Sequence, residues 1–305
     1  MLILFYRKII RTRFSFYDQL NMDNISAILP RDVTITCDRD LLPAADAVVF
    51  NIPFLPQDLE GDIEKPDKQV WIGWSYESEA NYPWMFSDEI KDIFDLWMTY
   101  HLDSDIVLPY FDYSFLEKFY APVSEKTNDI CMFVSSPMNN SRRKEYLSGL
   151  MQHISIDSYG RWMNNRKILN DIGYRSKLET IRHYKFTIAF ENAVSRNYVT
   201  EKFFDPLIVG SVPVYLGAPD IDRFSPGQNS FIDVRDYSSP EKLAQELHRL
   251  CRDSTAYGTF FKWKRQPLNP GFKMLIEDQK EHPFIRLVKL IRLLEKKGKS
   301  LNPGS

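Results

Sequence analysis

The chain has 305 residues, 44% of them hydrophobic and 26% charged, a balance typical of a soluble globular protein with one large domain or two ordinary ones. Its formal net charge of −2 argues against nucleic acid as a partner, because phosphate binding needs a basic surplus. No run approaches the ~20 apolar residues of a membrane span. Sixteen Tyr and six Trp exceed the needs of a plain core and favour a polar ligand that stacks on aromatic rings.

The three cysteines, Cys37, Cys131 and Cys251, are odd in number and lack the C-x-x-C spacing of a metal site. We therefore expect neither a disulfide framework nor a zinc site, and we predict a reducing compartment. The five His residues include no pair at ligand spacing, so we predict no His-based metal site either.

The first 125 residues alternate short apolar runs with polar loops, a pattern that favours strands over long helices. The predicted strands are Leu2–Tyr6, Val33–Cys37, Ala47–Asn51, Val70–Ser75 and Ile106–Tyr110. Prolines between these runs keep the helices short. The segment Pro122–Asp129 has no periodicity and indicates a linker, so we expect a first α/β domain of residues 1–125.

From residue 126 onwards, predicted strands alternate regularly with predicted helices. The strands are Ile130–Val134, Ile154–Asp157, Phe186–Phe190, Val212–Leu216 and Ser230–Val234, and the helices are Arg142–Gln152, Ser176–His183, Thr200–Val209 and Pro240–Arg252. This order is typical of a doubly wound parallel sheet. We therefore predict an α/β protein with two Rossmann-like domains that face a cleft, the second domain being residues 126–275.

Residues 276–305 are predicted to form a C-terminal basic amphipathic helix and a tail. Apolar residues share one helical face and basic residues crowd the other: Leu287, Leu290, Ile291 and Leu294 against Arg286, Lys289, Arg292 and Lys296. The favoured interpretation is a helix packed against the first domain. The alternative is a peripheral contact with a membrane surface.

The most informative stretch is residues 184–219, where a strand, a polar loop, a helix and a second strand follow one another closely. Open α/β sheets bind ligands at the carboxyl ends of their strands, where a loop meets a helix N-terminus. Asn192, Tyr198 and the first amides of the helix are placed to bind a diphosphate, with Lys202 supplying a positive charge. The alternative is structural, with Thr200 as an N-cap and Glu201 at the positive end of the helix dipole.

Two D-x-D patterns, Asp38-Arg39-Asp40 and Asp103-Ser104-Asp105, match the acidic pair that binds metal–diphosphate in many sugar transferases. A three-residue pattern has little specificity. Surface loop charge is the favoured explanation for the first pattern, and capping of a helix or strand for the second.

The string FENAVSRNYVTEKFFDPLIVGSVPVYLGAP closely resembles the signature of the α1,3/4-fucosyltransferases, which runs F-E-N, then Y-[IV]-T-E-K, then G-x-V-P-V-x-x-G. Other resemblances follow in the family's order: WSYESEANYP (Trp74–Pro83), DSDIVLPY (Asp103–Tyr110), DSYGR (Asp157–Arg161) and FFKW (Phe260–Trp263). Together they span residues 70 to 265. The resemblance implies a GT-B-like fold with an N-terminal acceptor domain and a C-terminal donor domain. It also implies inverting transfer from GDP-fucose.

By resemblance, Glu77 would be the general base that takes the proton of the acceptor hydroxyl, with Glu79 as the second candidate. Such a group is needed because an alcohol is a poor nucleophile near neutral pH. In the donor domain, the residues that match GDP-fucose contacts are Arg143, Asn192, Tyr198, Glu201 and Lys202. Arg142 is adjacent to Arg143, so the match to the family arginine could fall on either residue. Arg161 is a weaker candidate.

The resemblance implies a single displacement in which cations and helix amides, rather than a metal, stabilise the departing GDP. We expect no required cofactor and at most an auxiliary divalent cation. The expected acceptor is O3 of GlcNAc or Glc in a lactosamine- or lactose-type glycan. The segment Val194–Asn197 departs from the commoner family forms, and no family motif can be placed before residue 70.

Two alternatives remain: a GT-B transferase that uses another nucleotide sugar, and a non-catalytic glycan-binding protein on the same fold. The cysteine pattern favours a bacterial-type cytoplasmic enzyme, either free in the cytoplasm or peripheral at the inner membrane face. A Golgi lumen enzyme is the alternative, and it would require an anchor beyond this sequence.

Overall fold

The computed structural model describes residues 1–7, 22–59 and 64–296, and the predicted tail after residue 296 lies outside this range. The described chain forms two compact units. One holds residues 1–109, apart from the gaps, together with 281–296, and the other holds residues 110–280. The boundary thus precedes the predicted one at 125, and the C-terminal helix belongs to the first unit.

The first unit is built on a parallel sheet of six described strands in the order β2-β1-β3-β4-β5-β6. The strands are β1 Leu2–Phe5, β2 Thr34–Thr36, β3 Ala47–Asn51, β4 Val70–Ser75, β5 Leu96–Thr99 and β6 Ile106–Val107. Five were predicted, although the last is shorter than expected. Strand β5 was missed, because its run LWMT has neither the alternation of a half-exposed strand nor a flanking turn signal.

The helices of this unit are short, as the prolines predicted, apart from the last: α1 Met22–Ile28, α2 Leu55–Asp58, α3 Asp88–Lys91 and α11 Pro283–Lys296. Two 3₁₀ turns, Arg39–Ala44 and Ile52–Phe54, follow strands β2 and β3. Both therefore lie beyond the carboxyl ends of their strands.

The second unit holds a parallel sheet of five described strands in the order β11-β10-β9-β7-β8. The strands are β7 Asn128–Met132, β8 Asp157–Ser158, β9 Tyr184–Phe190, β10 Val212–Leu216 and β11 Ile232–Asp233. The helices are α4 Phe115–Lys118, α5 Arg143–Leu150, α6 Tyr174–Arg182, α7 Glu201–Val209, α8 Pro240–Arg252, α9 Ser254–Gly258 and α10 Pro270–Glu277. The predicted strand Ile154–Asp157 is wrong, because Ile154 and Ile156 are buried in the core before β8 begins. The predicted linker also ends earlier, since β7 starts at Asn128.

Each sheet has one point at which the strand order reverses. In the first, the chain goes from β1 outwards to β2 and then returns to β3 on the other side of β1. In the second, it goes from β7 to β8 and returns to β9 on the other side of β7. Such a switch point leaves a crevice at the carboxyl ends of the two central strands, which is where open α/β sheets bind ligands.

The C-terminal helix α11 packs its apolar face into the core of the first sheet. Phe284, Leu287, Val288, Ile291 and Leu294 are buried there among strand residues such as Ile3 and Ile72. Two basic side chains of the helix form hydrogen bonds with the rest of the first unit. Arg286 donates to the carbonyl of Val107 at 2.8 Å, and Arg292 donates to the carboxylate of Asp32 at 2.6 Å. The predicted packing is confirmed. No helix in the described ranges is both long and apolar enough to cross a bilayer.

We predict that Ile291→Ala lowers the free energy of unfolding by about 2–5 kcal/mol, because it opens a cavity in a fully buried position. Leu293→Ala on the exposed side of the same helix is the matched control and should change stability by less than about 0.5 kcal/mol. Guanidinium denaturation followed by circular dichroism measures both. Equal, small effects would show that the helix does not pack on the sheet.

Candidate active site

The centre of the candidate site is a buried carboxylate that follows strand β9. Glu191 is fully buried and accepts hydrogen bonds from the amide of Thr200 at 2.7 Å and from its hydroxyl at 2.8 Å. Lys202 in the first turn of α7 lies 3.3 Å from Glu191 and 3.3 Å from Glu201. Thr200 also caps α7, as the structural interpretation of the Thr-Glu-Lys sequence predicts. The loop is thereby tied to the helix N-terminus.

The charges at this point are set by their mutual contacts. Burial opposes charge on Lys202, but attraction by Glu191 and Glu201 outweighs it, so the pKa of Lys202 is raised. Burial likewise acts to raise the pKa of Glu201, but Lys202 and Lys177 outweigh it, so that pKa is lowered. Burial raises the pKa of Glu191, against the attraction of Lys202. At neutral pH the N-terminus of α7 therefore presents an ionised Glu201 beside a charged Lys202.

A second buried ion pair supports the first. Lys177 of α6 lies 2.7 Å from Asp205 of α7, and Tyr174 donates a hydrogen bond to the same carboxylate at 2.7 Å. Lys177 and Lys202 line one small cavity together with Asp205 and the ring of Phe133. The two lysines therefore lie in the wall of the same cavity. Glu191, Lys177 and Asp205 were not among the predicted site residues. The packing of α6 on α7 brings Lys177 and Asp205 together, and the hydrogen bonds of Glu191 to Thr200 bring it to the start of α7.

The loop after β7 is tied to the loop after β9, across the switch point of the second sheet. Ser141 donates its hydroxyl to the carbonyl of Glu191 at 2.6 Å and its amide to the carbonyl of Asn192 at 3.0 Å. Arg143 donates to the carbonyl of Phe190 at 3.0 Å. Arg143, at the start of α5, is therefore joined to the loop after β9, which carries Asn192 and leads to α7.

The structure separates the two neighbouring arginines. Arg143 has no exposed surface, and its guanidinium is hydrogen-bonded to backbone carbonyls of Phe190, Ser136 and Met138. Burial lowers the pKa of Arg143, against the attraction of Glu191. Arg142 is exposed and has a left-handed backbone with φ 56° at the head of α5. Arg143 is thus a buried part of the fold, and Arg142 is the arginine whose side chain is exposed.

The remaining donor candidates lie in the same region. Asn192 and Tyr198 are both buried, and the ring of Tyr198 packs edge-on against that of Tyr110 with centroids 6.2 Å apart. Arg161 is exposed in the turn after β8, where its amide binds the hydroxyl of Ser135 at 3.2 Å. Only the sheet order brings this turn to the same edge as the loop after β7.

The two candidate bases follow strand β4 of the first sheet. Ser75 accepts a hydrogen bond from the amide of Glu77 at 3.0 Å and fixes a tight turn at the strand end. Burial raises the pKa of Tyr82, and the negative charge of Glu77 adds to the shift. Glu79 is bound by the hydroxyl of Tyr100 and lies 3.3 Å from Nε2 of His101. Glu79 thus holds the loop to the next strand, which favours Glu77 as the base.

Both D-x-D patterns have structural partners. Asp38 accepts from the amide of Asp40 and caps the 3₁₀ turn that begins at Arg39. Asp105 accepts from the amide of Trp97 at 2.7 Å, at the start of β5. Within residues 1–7, 22–59 and 64–296, no three acidic, His or Cys side chains are grouped so that they could hold a metal ion.

The fold matches that of a glycosyltransferase. The chain superposes on a crystal structure of an α1,3-fucosyltransferase with a TM-score of 0.62 over 95% of this chain and 90% of the other, at 16% identity. A crystal structure of an α1,3-fucosyltransferase with GDP-fucose gives a TM-score of 0.61 over 99% and 90% of the two chains. This likeness defines the class of fold, the GT-B-like arrangement of two parallel-sheet α/β units.

Sequence comparison identifies the family. The model for "Glycosyltransferase family 10 (fucosyltransferase) C-term" matches residues 123–301, and the model for "Fucosyltransferase, N-terminal" matches residues 1–111. The chain therefore belongs to glycosyltransferase family 10, the fucosyltransferases.

Three curated relatives have similar identities to this chain. A putative fucosyltransferase-like protein of Arabidopsis thaliana is 35% identical over 64% of this chain and 37% of its own length. A 4-galactosyl-N-acetylglucosaminide 3-alpha-L-fucosyltransferase of Pan troglodytes is 34% identical over 79% and 67%. A 3-galactosyl-N-acetylglucosaminide 4-alpha-L-fucosyltransferase of the same species is 33% identical over 84% and 69%. The chain thus spans about a third of the plant protein and about two thirds of the animal ones.

We predict that Gly217→Ala disturbs the site, because an added Cβ would lie 2.4 Å from the hydroxyl of Tyr215 and 2.6 Å from Cγ of Glu191. Overpacking of this kind costs about 1–3 kcal/mol, and a displaced Glu191 should also weaken GDP binding. Gly258→Ala is the matched control, since nothing lies within 4 Å of its added Cβ. Thermal unfolding and calorimetric titration with GDP measure both effects. Unchanged GDP affinity in Gly217→Ala would contradict a role of Glu191 at the site.

Proposed function

We propose that this protein transfers L-fucose, with inversion, from GDP-fucose to O3 of GlcNAc or Glc in a lactosamine- or lactose-type glycan. The observation that carries the proposal is the ionised Glu201 and Lys202 pair at the N-terminus of α7, at the switch point of the second sheet. The relatives named as 3-alpha-L-fucosyltransferases of 4-galactosyl-N-acetylglucosaminides support the acceptor and the linkage.

On the donor side, Lys202 supplies the charge that meets the diphosphate, together with the first amides of α7. Glu201 is ionised and accepts hydrogen bonds from the ribose hydroxyls. Asn192 and Tyr198 complete the donor contacts, with Arg161 as a further cation at the same edge. We assign the phosphate role to the exposed Arg142 rather than to Arg143, because Arg143 is buried and both of its terminal nitrogens donate to backbone carbonyls. The buried Nε of Arg143 has no hydrogen-bond partner among the described residues.

On the acceptor side, Glu77 takes the proton of the attacking hydroxyl. Oxygen then attacks the anomeric carbon from the face opposite GDP, the bond to GDP breaks, and negative charge develops on the β-phosphate. Lys202 and Arg142 stabilise that charge, a role that preorganised cations fill in other transfer reactions. We accordingly propose that a divalent cation is at most auxiliary.

The cytoplasmic location stays a prediction; within the described residues none of the three cysteines forms a disulfide. A peripheral membrane contact through α11 would rest on its basic face alone, since its apolar face is buried in the first unit.

Incubation with GDP-fucose and N-acetyllactosamine, followed by mass spectrometry, tests the proposal. We expect one added deoxyhexose on the acceptor, in the presence of excess EDTA as well as in its absence. A thermal-shift panel of GDP, UDP, CMP and ADP separates the alternatives, because only the cognate nucleotide stabilises the fold at modest excess. Stabilisation by UDP alone would point to another nucleotide sugar, and GDP binding without transfer to any glycan would favour a binding protein.

We predict that Glu77→Gln abolishes transfer while GDP affinity is kept, because the base and the nucleotide contacts lie in different units. A positioned base contributes about 10²–10⁴-fold to the rate. Glu79→Gln is the comparison, and it should lower thermal stability through the lost contacts with Tyr100 and His101 while retaining measurable turnover. If Glu79→Gln is the inactive variant and Glu77→Gln is active, the two roles must be exchanged.

We predict opposite behaviour for the two arginines. Arg142→Asn should reduce kcat for GDP-fucose at unchanged stability, since Asn tolerates the left-handed backbone. Arg143→Gln should lower the free energy of unfolding by about 1–3 kcal/mol, because it leaves buried carbonyls without donors. Steady-state kinetics and denaturant unfolding of both variants provide the measurement. A stable, inactive Arg143→Gln protein would return the phosphate role to Arg143.

A further inference from the structure

The ion pair between Lys177 of α6 and Asp205 of α7 is buried on both sides. The two side chains are 5% and 1% exposed, and Nζ of Lys177 lies 2.7 Å from Oδ2 of Asp205. Tyr174 donates a hydrogen bond to Oδ1 of the same carboxylate at 2.7 Å, and Nζ lies 6.0 Å from the ring centroid of Phe133. Removing two charges from water costs about as much as their attraction returns, so a buried ion pair is often no more stabilising than an apolar contact. This pair therefore points to a role other than stability.

The pair lies one helical turn from the start of α7. Asp205 is four residues after Glu201, so the two carboxylates share one face of the helix, with about 5–6 Å between their Cβ atoms. Lys177 also lines one small cavity together with Lys202. Lys177 is thus placed close to both of the charged residues on which the proposed donor site depends.

Lys177 acts on Glu201 as a second cation. Burial acts to raise the pKa of Glu201, but the charges of Lys202 and Lys177 outweigh it, so that this pKa is lowered. The other titratable groups among the described residues that interact electrostatically with Glu201 are Asp205 on the same helix, Tyr174 of α6, Arg143 of α5 and Glu191 after β9. The charge of Glu201 therefore depends on α6 as well as on its own helix.

We propose that Lys177 is a positioning residue for nucleotide binding, which holds the first turn of α7 and the carboxylate of Glu201 in their binding arrangement. The inference rests on the proposed function, in which Glu201 accepts hydrogen bonds from the ribose hydroxyls of GDP-fucose. Lys177 is only 4% exposed, so it acts through α7 and not by contact with the nucleotide. An ionised carboxylate offers only acceptors to the two hydroxyls, whereas a protonated one carries a hydrogen that opposes one of them.

The test measures GDP affinity by calorimetry between pH 8 and pH 5 for the wild type and for Lys177→Met. Loss of a neighbouring cation raises the pKa of Glu201, so the affinity of the variant should begin to fall at a higher pH than that of the wild type as pH is lowered. The ratio of the two Kd values should be below about threefold at pH 8 and should grow about fivefold by pH 5, since one unit of pKa is worth at most tenfold. The ratio removes the protonation of GDP itself, which is common to both proteins.

Asp205→Asn is the matched control, because it breaks the same ion pair and keeps the cation. A Kd ratio to wild type that does not grow as pH is lowered is expected for Asp205→Asn. The double variant Lys177→Met/Asp205→Asn leaves no unpaired buried charge, so it should be more stable than Lys177→Met and should show the same growth of the ratio. It also provides the measurement if Lys177→Met does not fold.

Two results would overturn the inference. One is a Kd ratio that stays constant with pH for both proteins that lack Lys177. The other is an equal loss of affinity in Lys177→Met and Asp205→Asn at every pH, which would show that the pair only joins α6 to α7.

A double-mutant cycle of Lys177→Met and Glu201→Gln on denaturant unfolding separates the inference from the proposed function, because it needs neither nucleotide nor turnover. We expect the two residues to be coupled by at least about threefold in the equilibrium constant of unfolding. Coupling without any transfer of fucose supports the positioning role and contradicts the proposed function. Additive effects contradict the positioning role, even where transfer is intact.

Discussion

The candidate site of the second unit depends on one buried carboxylate, that of Glu191. It accepts both the amide and the hydroxyl of Thr200 and pairs with Lys202, so a single side chain joins the end of β9 to the beginning of α7. Removing a buried carboxylate from water is unfavourable unless such donors surround it. The same contacts hold Lys202 charged and at a fixed place. The contacts of Glu191 with Thr200 and Lys202 thus both stabilise the fold and position the candidate site residue Lys202.

Both units use the same sheet order around their switch points, and the polar side chains collect there in each. In the second unit this edge carries Lys202, Glu201 and Arg142. In the first unit it carries Arg7 and Arg39, both paired with Asp58, and Glu77 follows a strand two positions away from β1. Parallel strands bring successive loops to one edge, so residues distant in sequence become neighbours without long loops.

Strands that are buried on both faces were the most predictable elements. Ala47–Asn51, Val70–Ser75 and Val212–Leu216 have the predicted bounds, because a short apolar run between turn residues has few other conformations. Strand β8 was misplaced, since Ile154 and Ile156 are as apolar as a strand but belong to the connection before it. Burial alone does not distinguish a strand from a buried loop. A strand is distinguished from a buried loop by the neighbouring strand to which it is hydrogen-bonded, and that neighbour is distant in sequence.

The sequence by itself determined the two α/β halves, the Thr-Glu-Lys helix start and the residues that resemble a fucosyltransferase, because these depend on local periodicity, capping and short motifs. Only the tertiary structure decided which of two adjacent arginines is exposed, and which of two nearby glutamates is held by Tyr100 and His101. It also brought Arg7, Arg39 and Asp58 together from three segments that are distant in sequence. Side-chain exposure and long-range charge pairs follow from the packing of distant segments, which no local pattern encodes.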